Sequence, residues 1–475
     1  MGHIIKDARR KSAHKYKAIS LFSGAMGLDL GFDKTGRFNL LACVEKESSF
    51  CATIRTNQAN GLLPKHLQVF EGDISDLDPA IVLDACGLKP GELDVLVGGP
   101  PCQSFSTAGR RRATQDPRGT LLWQYLRFVE YMQPRFFLME NVRGLLSAAL
   151  RHRPIAQRPE NGGPPLEPDE RPGSVLRLFS EDFQNLRGID DTVYRMDCFE
   201  VNAVNYGAPQ LRERALFIGN RYNAVVNFPD PTHGPTHVRE DAQTLLLGGP
   251  TLKPWRTLGD AIGHLKSTPS DVVMDFSPRK KSFLARVPPG SNWRSLPLEM
   301  QQESMGKAWF AKGGRSGWWR RLSYDLPCPT LMTMPNHAGT ALCHPTEVRA
   351  LSLKEYAAIQ EFPPEWSFQG TPSQQYAQVG NAVPIRLGEV AGEVIAAELD
   401  KLRRFNWLVG TERTVAHRVV YMQSHIRTRR WFRGGATLVW EDGKNNTFAA
   451  HESKKPVSSL NGQSKPFPHH ETVLK

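Results

Sequence analysis

Two things are missing from this sequence of 475 residues: long apolar runs and paired cysteines. No window approaches the roughly 18 consecutive apolar residues of a membrane span. The first ten residues lack the apolar core of a signal peptide, so a soluble, cytoplasmic protein is expected, with no membrane partner. The seven cysteines (Cys43, Cys51, Cys86, Cys102, Cys198, Cys328 and Cys343) are odd in number and form no C-x-x-C pair. That argues against a disulfide framework and a structural zinc site, and no metal is expected. No internal repeat is present, and no G-x-G-x-x-G run opens the first glycine turn, which speaks against a nicotinamide-dependent oxidoreductase.

What the chain does have is positive charge. The formal net charge is +12, which fits a phosphate-rich partner, although a solvated basic surface looks the same. The distribution says more. Residues 401–475 hold 14 Lys and Arg against 5 Asp and Glu, and the first 17 residues hold 6 against 1.

The length suits two or three domains. From residue 18, short apolar or β-branched runs alternate with amphipathic stretches, the pattern of a parallel sheet with crossover helices. Strands are expected at 18–22, 40–45, 69–70, 93–97, 136–140, 194–201 and 214–219. The segment 151–173, dense in Pro, Gly and charge, reads as a loop insertion. The alternation stops near 220. Residues 222–345, with many prolines, scattered tryptophans and the basic clusters 279–281 and 320–321, read as a second, smaller, irregular domain. Helical periodicity returns at 352–360 and 385–402, so 346–400 completes the first domain, 18–221. A basic arm, 1–17, precedes it, and a basic, partly disordered tail, 401–475, follows with one apolar-alternating stretch at 436–440.

The strand ends carry the chemistry. The first runs through Phe22-Ser-Gly-Ala-Met-Gly27 into a helix, so Gly24 and Gly27 present backbone N–H groups to a ligand, or serve packing alone. The second ends in Glu45, an acid about 20 residues on, where a ribose diol can be bound. The third ends at Asp73, which is either a second polar contact or a helix cap. The fourth ends in Gly98-Gly-Pro-Pro-Cys102, a rigid turn that suits a projecting nucleophile better than a buried structural thiol. Glu140, in Glu140-Asn-Val142, can donate a proton or cap a helix. In Gln210-Leu-Arg-Glu-Arg214 a period of two puts Gln210, Arg212 and Arg214 on one face, to clamp a carbonyl or phosphate or to line a solvated edge.

These motifs, with Arg349-Ala-Leu-Ser352, Gln360-Glu-Phe-Pro363 and Gln378-Val-Gly-Asn-Ala-Val-Pro384, stand in the order found in the DNA cytosine-5 methyltransferases, and the chain resembles that family over residues 18 to about 220 and 346–400. The resemblance implies an α/β fold: a Rossmann-like S-adenosylmethionine-dependent methyltransferase domain plus a target-recognition domain, 222–345. Carried over by position, Phe22, Gly24, Gly27, Glu45, Asp73, Ile74 and Asn381 bind S-adenosylmethionine, and Cys102, Glu140, Arg212 and Arg214 surround the cytosine. Double-stranded DNA is the implied partner of a monomeric enzyme, with a cognate restriction endonuclease acting on the same site. Two positions depart from the pattern. Met26 replaces a usual glycine, and Lys46 stands where some relatives place an aromatic against adenine. A transfer RNA cytosine-5 methyltransferase shares the same domain, but the Trp- and Arg-rich 222–345 and Gln103-Ser-Phe-Ser106 favour DNA. Trp318-Trp-Arg-Arg321 is either a DNA-contacting stretch or part of a core.

Overall fold

The computed structural model describes residues 14–101, 120–186, 193–234, 252–310, 317–405 and 417–422, together with the short strands Arg427–Arg430, Thr437–Trp440 and Glu471–Thr472. Seven main strands appear within about two residues of where the sequence pattern puts them: β1 (Tyr16–Leu21), β2 (Phe38–Glu45), β3 (Gln68–Glu71), β4 (Val95–Gly98), β5 (Phe136–Val142), β6 (Arg195–Asn202) and β7 (Glu213–Asn220). They lie in one sheet in the order β3-β2-β1-β4-β5-β7-β6, extended past β6 by His417–Tyr421 and Glu471–Thr472. The first five are mutually parallel. Both faces of the inner strands are buried, as the continuous apolar run Val95-Leu-Val97 requires. The strand order reverses between β1 and β4, which places the crevice beyond their carboxyl ends, where open α/β sheets bind ligands.

The chain divides into two compact units. One comprises Met1–Cys198, Ala215–Pro229 and Val383–Arg418, the other Phe199–Arg214, Asp230–Ala382 and Val419–Lys475. In the first, the crossover helices are α1 (Gly27–Lys34), α2 (Ser48–Ala59), α3 (Pro79–Ala85), α4 (Leu121–Met132) and α5 (Ser174–Gln184). Residues 151–173 form two short 3₁₀ turns, held by an Arg153–Glu170 ion pair and by Arg153 donating to the Pro164 carbonyl.

The second unit is built of short helices and turns: α6 (Leu258–Ile262), α7 (Pro278–Leu284), α8 (Leu298–Met305), α9 (Leu353–Ile359) and α10 (Pro372–Asn381). Local signals explain where three of them begin. Thr257 with Asp260, Ser352 with Glu355 and Thr371 with Gln374 each form a reciprocal capping box. A core of Phe276, Phe283, Trp293, Leu296 and Trp319 holds α7 and its neighbours together.

The final long helix of the first unit, α11 (Ile385–Phe405), crosses α1 at close quarters. A Cβ on Gly31 would stand 2.5 Å from the Glu389 nitrogen and the Ile385 carbonyl, and one on Gly388 would stand 2.6 Å from the Leu28 carbonyl. In an open helix, alanine at either position gains roughly 0.5–1 kcal/mol over glycine. Here the obstacle is backbone that cannot rotate away, so overlap wins. Gly31→Ala or Gly388→Ala is expected to cost about 1–3 kcal/mol net, read as a lower urea midpoint. Gly392→Ala, tight only against the Thr35 methyl at 3.1 Å and in ordinary contact with Phe32 at 3.5 Å, should stay near neutral. Equal losses in all three would contradict this origin.

Candidate active site

Parallel register sets the layout of the first unit's site. Leu21 pairs with Val44 on one side and with Gly98 on the other, and Gly98 pairs with Met139. The next residue on each strand, Phe22, Glu45, Gly99 and Glu140, therefore falls in one row along the carboxyl edge of the sheet.

After β1 the chain turns sharply. Phe22, Gly24 and Met26 all have positive φ, at 55°, 55° and 70°. Glycine adopts that geometry freely, whereas a side chain there costs on the order of 1 kcal/mol. Met26 therefore occupies, at some strain, a position whose conformation explains the family's usual glycine. Hydrogen bonds over-determine the turn. Ser23 N–H donates to the Val44 carbonyl at 3.3 Å, Met26 N–H to Ser23 at 2.8 Å, and Gly24 N–H to a Glu45 carboxylate oxygen at 2.7 Å. The other Glu45 oxygen accepts from the backbone of Lys46 and Glu47 at 2.8 and 2.9 Å. Burial pushes the Glu45 pKa up, against the three backbone donors that favour its charged form. Among the described residues, and apart from its chain neighbours, no atom lies within 4 Å of where a Cβ would stand on Gly24 or Gly72, so space is open beside both turns. The Gly24 N–H, expected to face a ligand, is instead taken by Glu45, because the two strands end level; a sharp turn, a fixed acid and open room still fit a nucleoside.

Asp73 caps no helix; the cap of α3 is Asp78. One Asp73 oxygen accepts from the Ser75 backbone at 2.9 Å, and the other meets Lys46 Nζ at 2.8 Å. The lysine bond and the backbone donor pull its pKa down to about 2. The departure at Lys46 thus has a local consequence: it pairs with Asp73 and lowers its pKa further. Ile74 is buried, its carbonyl accepting from Arg127.

At the end of β4, a Cβ on Gly98 would meet the Leu21 carbonyl at 2.7 Å, and one on Gly99 would meet Glu140 Oε2 at 3.1 Å. Asn141 donates to the Pro100 carbonyl at 3.0 Å. The Gly98–Pro101 turn is therefore fitted against the end of β5, and Glu140 is 8% exposed beside it. Cys102, next in the chain, lies outside the described residues.

The second unit carries Arg212, Arg214 and Asn381. Gln210, Arg212 and Arg214 share a face as the period of two suggests, and that face is buried rather than a solvated edge, with Leu211 and Glu213 partly exposed, although β7 begins only at Glu213. Arg212, 2% exposed, donates to the carbonyls of Leu331, Gly380 and Asn381 at 3.2, 2.9 and 3.4 Å. Arg214 donates to the Glu213 carbonyl at 2.7 Å, and Asn381 is exposed at the end of α10. In the 318–321 stretch the core reading holds for Trp319, whereas Arg321 is partly exposed. Trp319 is 1% exposed within the aromatic core, and the Arg321 guanidinium donates to the carbonyls of Pro345, Val287 and Thr346.

The sequence reading missed Asp29. It sits in the first turn of α1, 3% exposed, linked to the Ser20 hydroxyl, which in turn accepts from Ser23 at 2.9 Å. Its signal was an acid inside the otherwise apolar face Leu28–Phe32.

Comparison with known proteins shows the family. The family model for C-5 cytosine-specific DNA methylases matches residues 16–157 and 174–397, passing over 158–173 within the insertion. Type II methyltransferase M.Sau96I of Staphylococcus aureus is 34% identical over 390 residues, covering 81% of this chain and 77% of its own. Type II methyltransferase M.Eco47II of Escherichia coli is 34% identical over 405 residues, covering 84% and 83%.

Burial raises Asp29 from 3.8 to about 6. Folded protein then binds more protons than unfolded protein between those values, so this group's stabilising effect is full below pH 4 and is lost as pH rises through about 6. Asp29→Asn should remove that decline, which amounts to roughly 1–3 kcal/mol. Urea unfolding of both proteins at pH 4, 5, 6 and 7 checks it, parallel profiles being the contrary result.

Proposed function

Because the chain belongs to the C-5 cytosine-specific DNA methylase family and is a DNA cytosine-5 methyltransferase, we propose that it methylates one cytosine within a specific double-stranded DNA sequence. S-adenosylmethionine is the donor, and the chain is the modification half of a restriction-modification system. The observation that carries the reading is the row of Phe22, Glu45, Gly99 and Glu140 along one sheet edge, with Cys102 three residues after Gly99 in the chain.

C5 of cytosine is a poor nucleophile. Thiolate addition from Cys102 to C6 breaks aromaticity and makes C5 enamine-like, dividing one hard step into easier ones. Glu140 holds N3 and supplies the proton it gains as C6 is attacked, and Arg214 hydrogen-bonds the O2 edge. The bound donor supplies the electrophilic methyl group that the activated C5 takes. A base, water or a side chain at the site, then takes the C5 proton; the C5–C6 double bond re-forms, Cys102 leaves C6 as the thiolate, and the N3 proton returns to Glu140. A thiol ionises near 8.5 unaided, so its surroundings must favour the thiolate. Gly24, Gly27 and Glu45 bind the nucleoside half of the donor, with Phe22, Asp73 and Ile74 lining it and Asn381 contributing from the second unit's sequence.

C6 is out of reach inside a duplex. The target base must therefore rotate out, at a cost of a few kcal/mol in stacking and pairing. Phosphate contacts from the basic surface offset that cost, and residues 222–345 read the sequence.

The test is methyl transfer from labelled S-adenosylmethionine to genomic DNA and to total RNA, by the intact protein and by Cys102→Ala, with base-resolution mapping. Label at C5 of one short DNA motif, lost at least about 1000-fold in the variant, is expected. Label confined to RNA, or surviving in Cys102→Ala, overturns the substrate or the covalent step.

A further inference from the structure

The last carbonyls of an α-helix have no partner within the helix. In α10 the carbonyls at that end are taken by two buried side chains from distant parts of the sequence. Gln360 Nε2 donates to Val379 and Ala382 at 2.8 and 3.0 Å, and Arg212 Nη2 donates to Gly380 and Asn381 at 2.9 and 3.4 Å. The two caps are tied together through Gln210, which donates to Gln360 Oε1 at 3.1 Å and accepts from Arg212 Nη1 at 3.5 Å and from the Leu331 backbone at 3.0 Å. Packing closes the remaining side: a Cβ on Gly380 would stand 2.8 Å from the Met332 carbonyl. Within this network Asn381 is the exposed residue.

We propose that Arg212, with Gln360, is a positioning residue that fixes Asn381 for the methyl donor, and that Arg212 does not contact the cytosine. Its guanidinium is buried, with Nη1 and Nη2 donating to main-chain carbonyls and to the Gln210 side chain. The proposal rests on the reading that Asn381 takes part in donor binding. A lysine at 212 keeps the charge but cannot present a planar fork to several carbonyls at once.

The experiment uses the full-length chain without DNA, titrated with the product S-adenosylhomocysteine by calorimetry. Adduct formation with a duplex carrying 5-fluorocytosine at the mapped target is measured in parallel at saturating donor. Asn381→Ala tests the underlying reading: an unchanged affinity overturns that reading, and this proposal with it. Given weakened binding there, Arg212→Lys and Gln360→Ala should each weaken S-adenosylhomocysteine binding by about tenfold. Each should lose little further when combined with Asn381→Ala, the non-additivity of groups acting as one. Adduct yield should recover at saturating donor. Wild-type affinity in Arg212→Lys, with adduct formation lost, overturns the proposal and returns Arg212 to the base. Gln360→Ala keeps the test decisive if Arg212→Lys fails to fold.

Discussion

β1 hydrogen-bonds in parallel to β2 on one side and to β4 on the other, with Leu21 opposite both Val44 and Gly98. A one-residue slip in either pairing would turn a whole strand over, and Glu45 or the Gly98–Pro101 turn would leave the edge. The two glycine-bearing turns depend on that register. Gly24 reaches Glu45 only because their strands end level, and Gly98 fits under the Leu21 carbonyl for the same reason. The switch in strand order between β1 and β4 then leaves the crevice open at that point.

The second unit solves a different problem. Its helices are short, so their ends make up much of their length, and end groups must be satisfied by side chains. The capping boxes at Thr257, Ser352 and Thr371 do this with neighbours three residues away. At the end of α10 the same need is met by Gln360 and Arg212, which lie far off in the sequence. Three separated motifs, around 210, 360 and 380, thus form one buried polar network. Such a network is costly if any member is left unsatisfied.

Much of this was legible from residue order. The seven strands, the helices at 353–359 and 385–405, and the strand-end position of Glu45 follow from periodicity and turn chemistry, whereas Asp73 lies two residues past β3 and Glu140 two residues inside the end of β5. That Gln210, Arg212 and Arg214 share one face also follows from the period of two. What a buried arginine bonds to does not. Arg212 finds its acceptors about 120 and 170 residues away in the chain, and no local pattern encodes that. Trp319 and Arg321 were ambiguous for the same reason, since a tryptophan beside arginines suits a core or a nucleic-acid surface equally. Asp29 was hidden because a helix's first turn is where an acid is ordinarily unremarkable; only the strands packed around it make it buried. Lys46 marked a departure whose result, the ion pair to Asp73, needed the spacing of two strands.

The crossing of α1 and α11 bears on how the chain is made. Leu28 and Gly31 on α1 are covered by Ile385 and Gly388 of a helix that begins about 350 residues later. At synthesis rates of roughly 5–20 residues per second, that helix emerges about 20 to 70 s after α1. Throughout that interval the nascent chain carries an unpaired apolar helix face beside an incomplete parallel sheet. The first unit cannot finish folding in the order in which it is read, and closure of its core waits until residues 199–214 and 230–382 of the second unit have been translated.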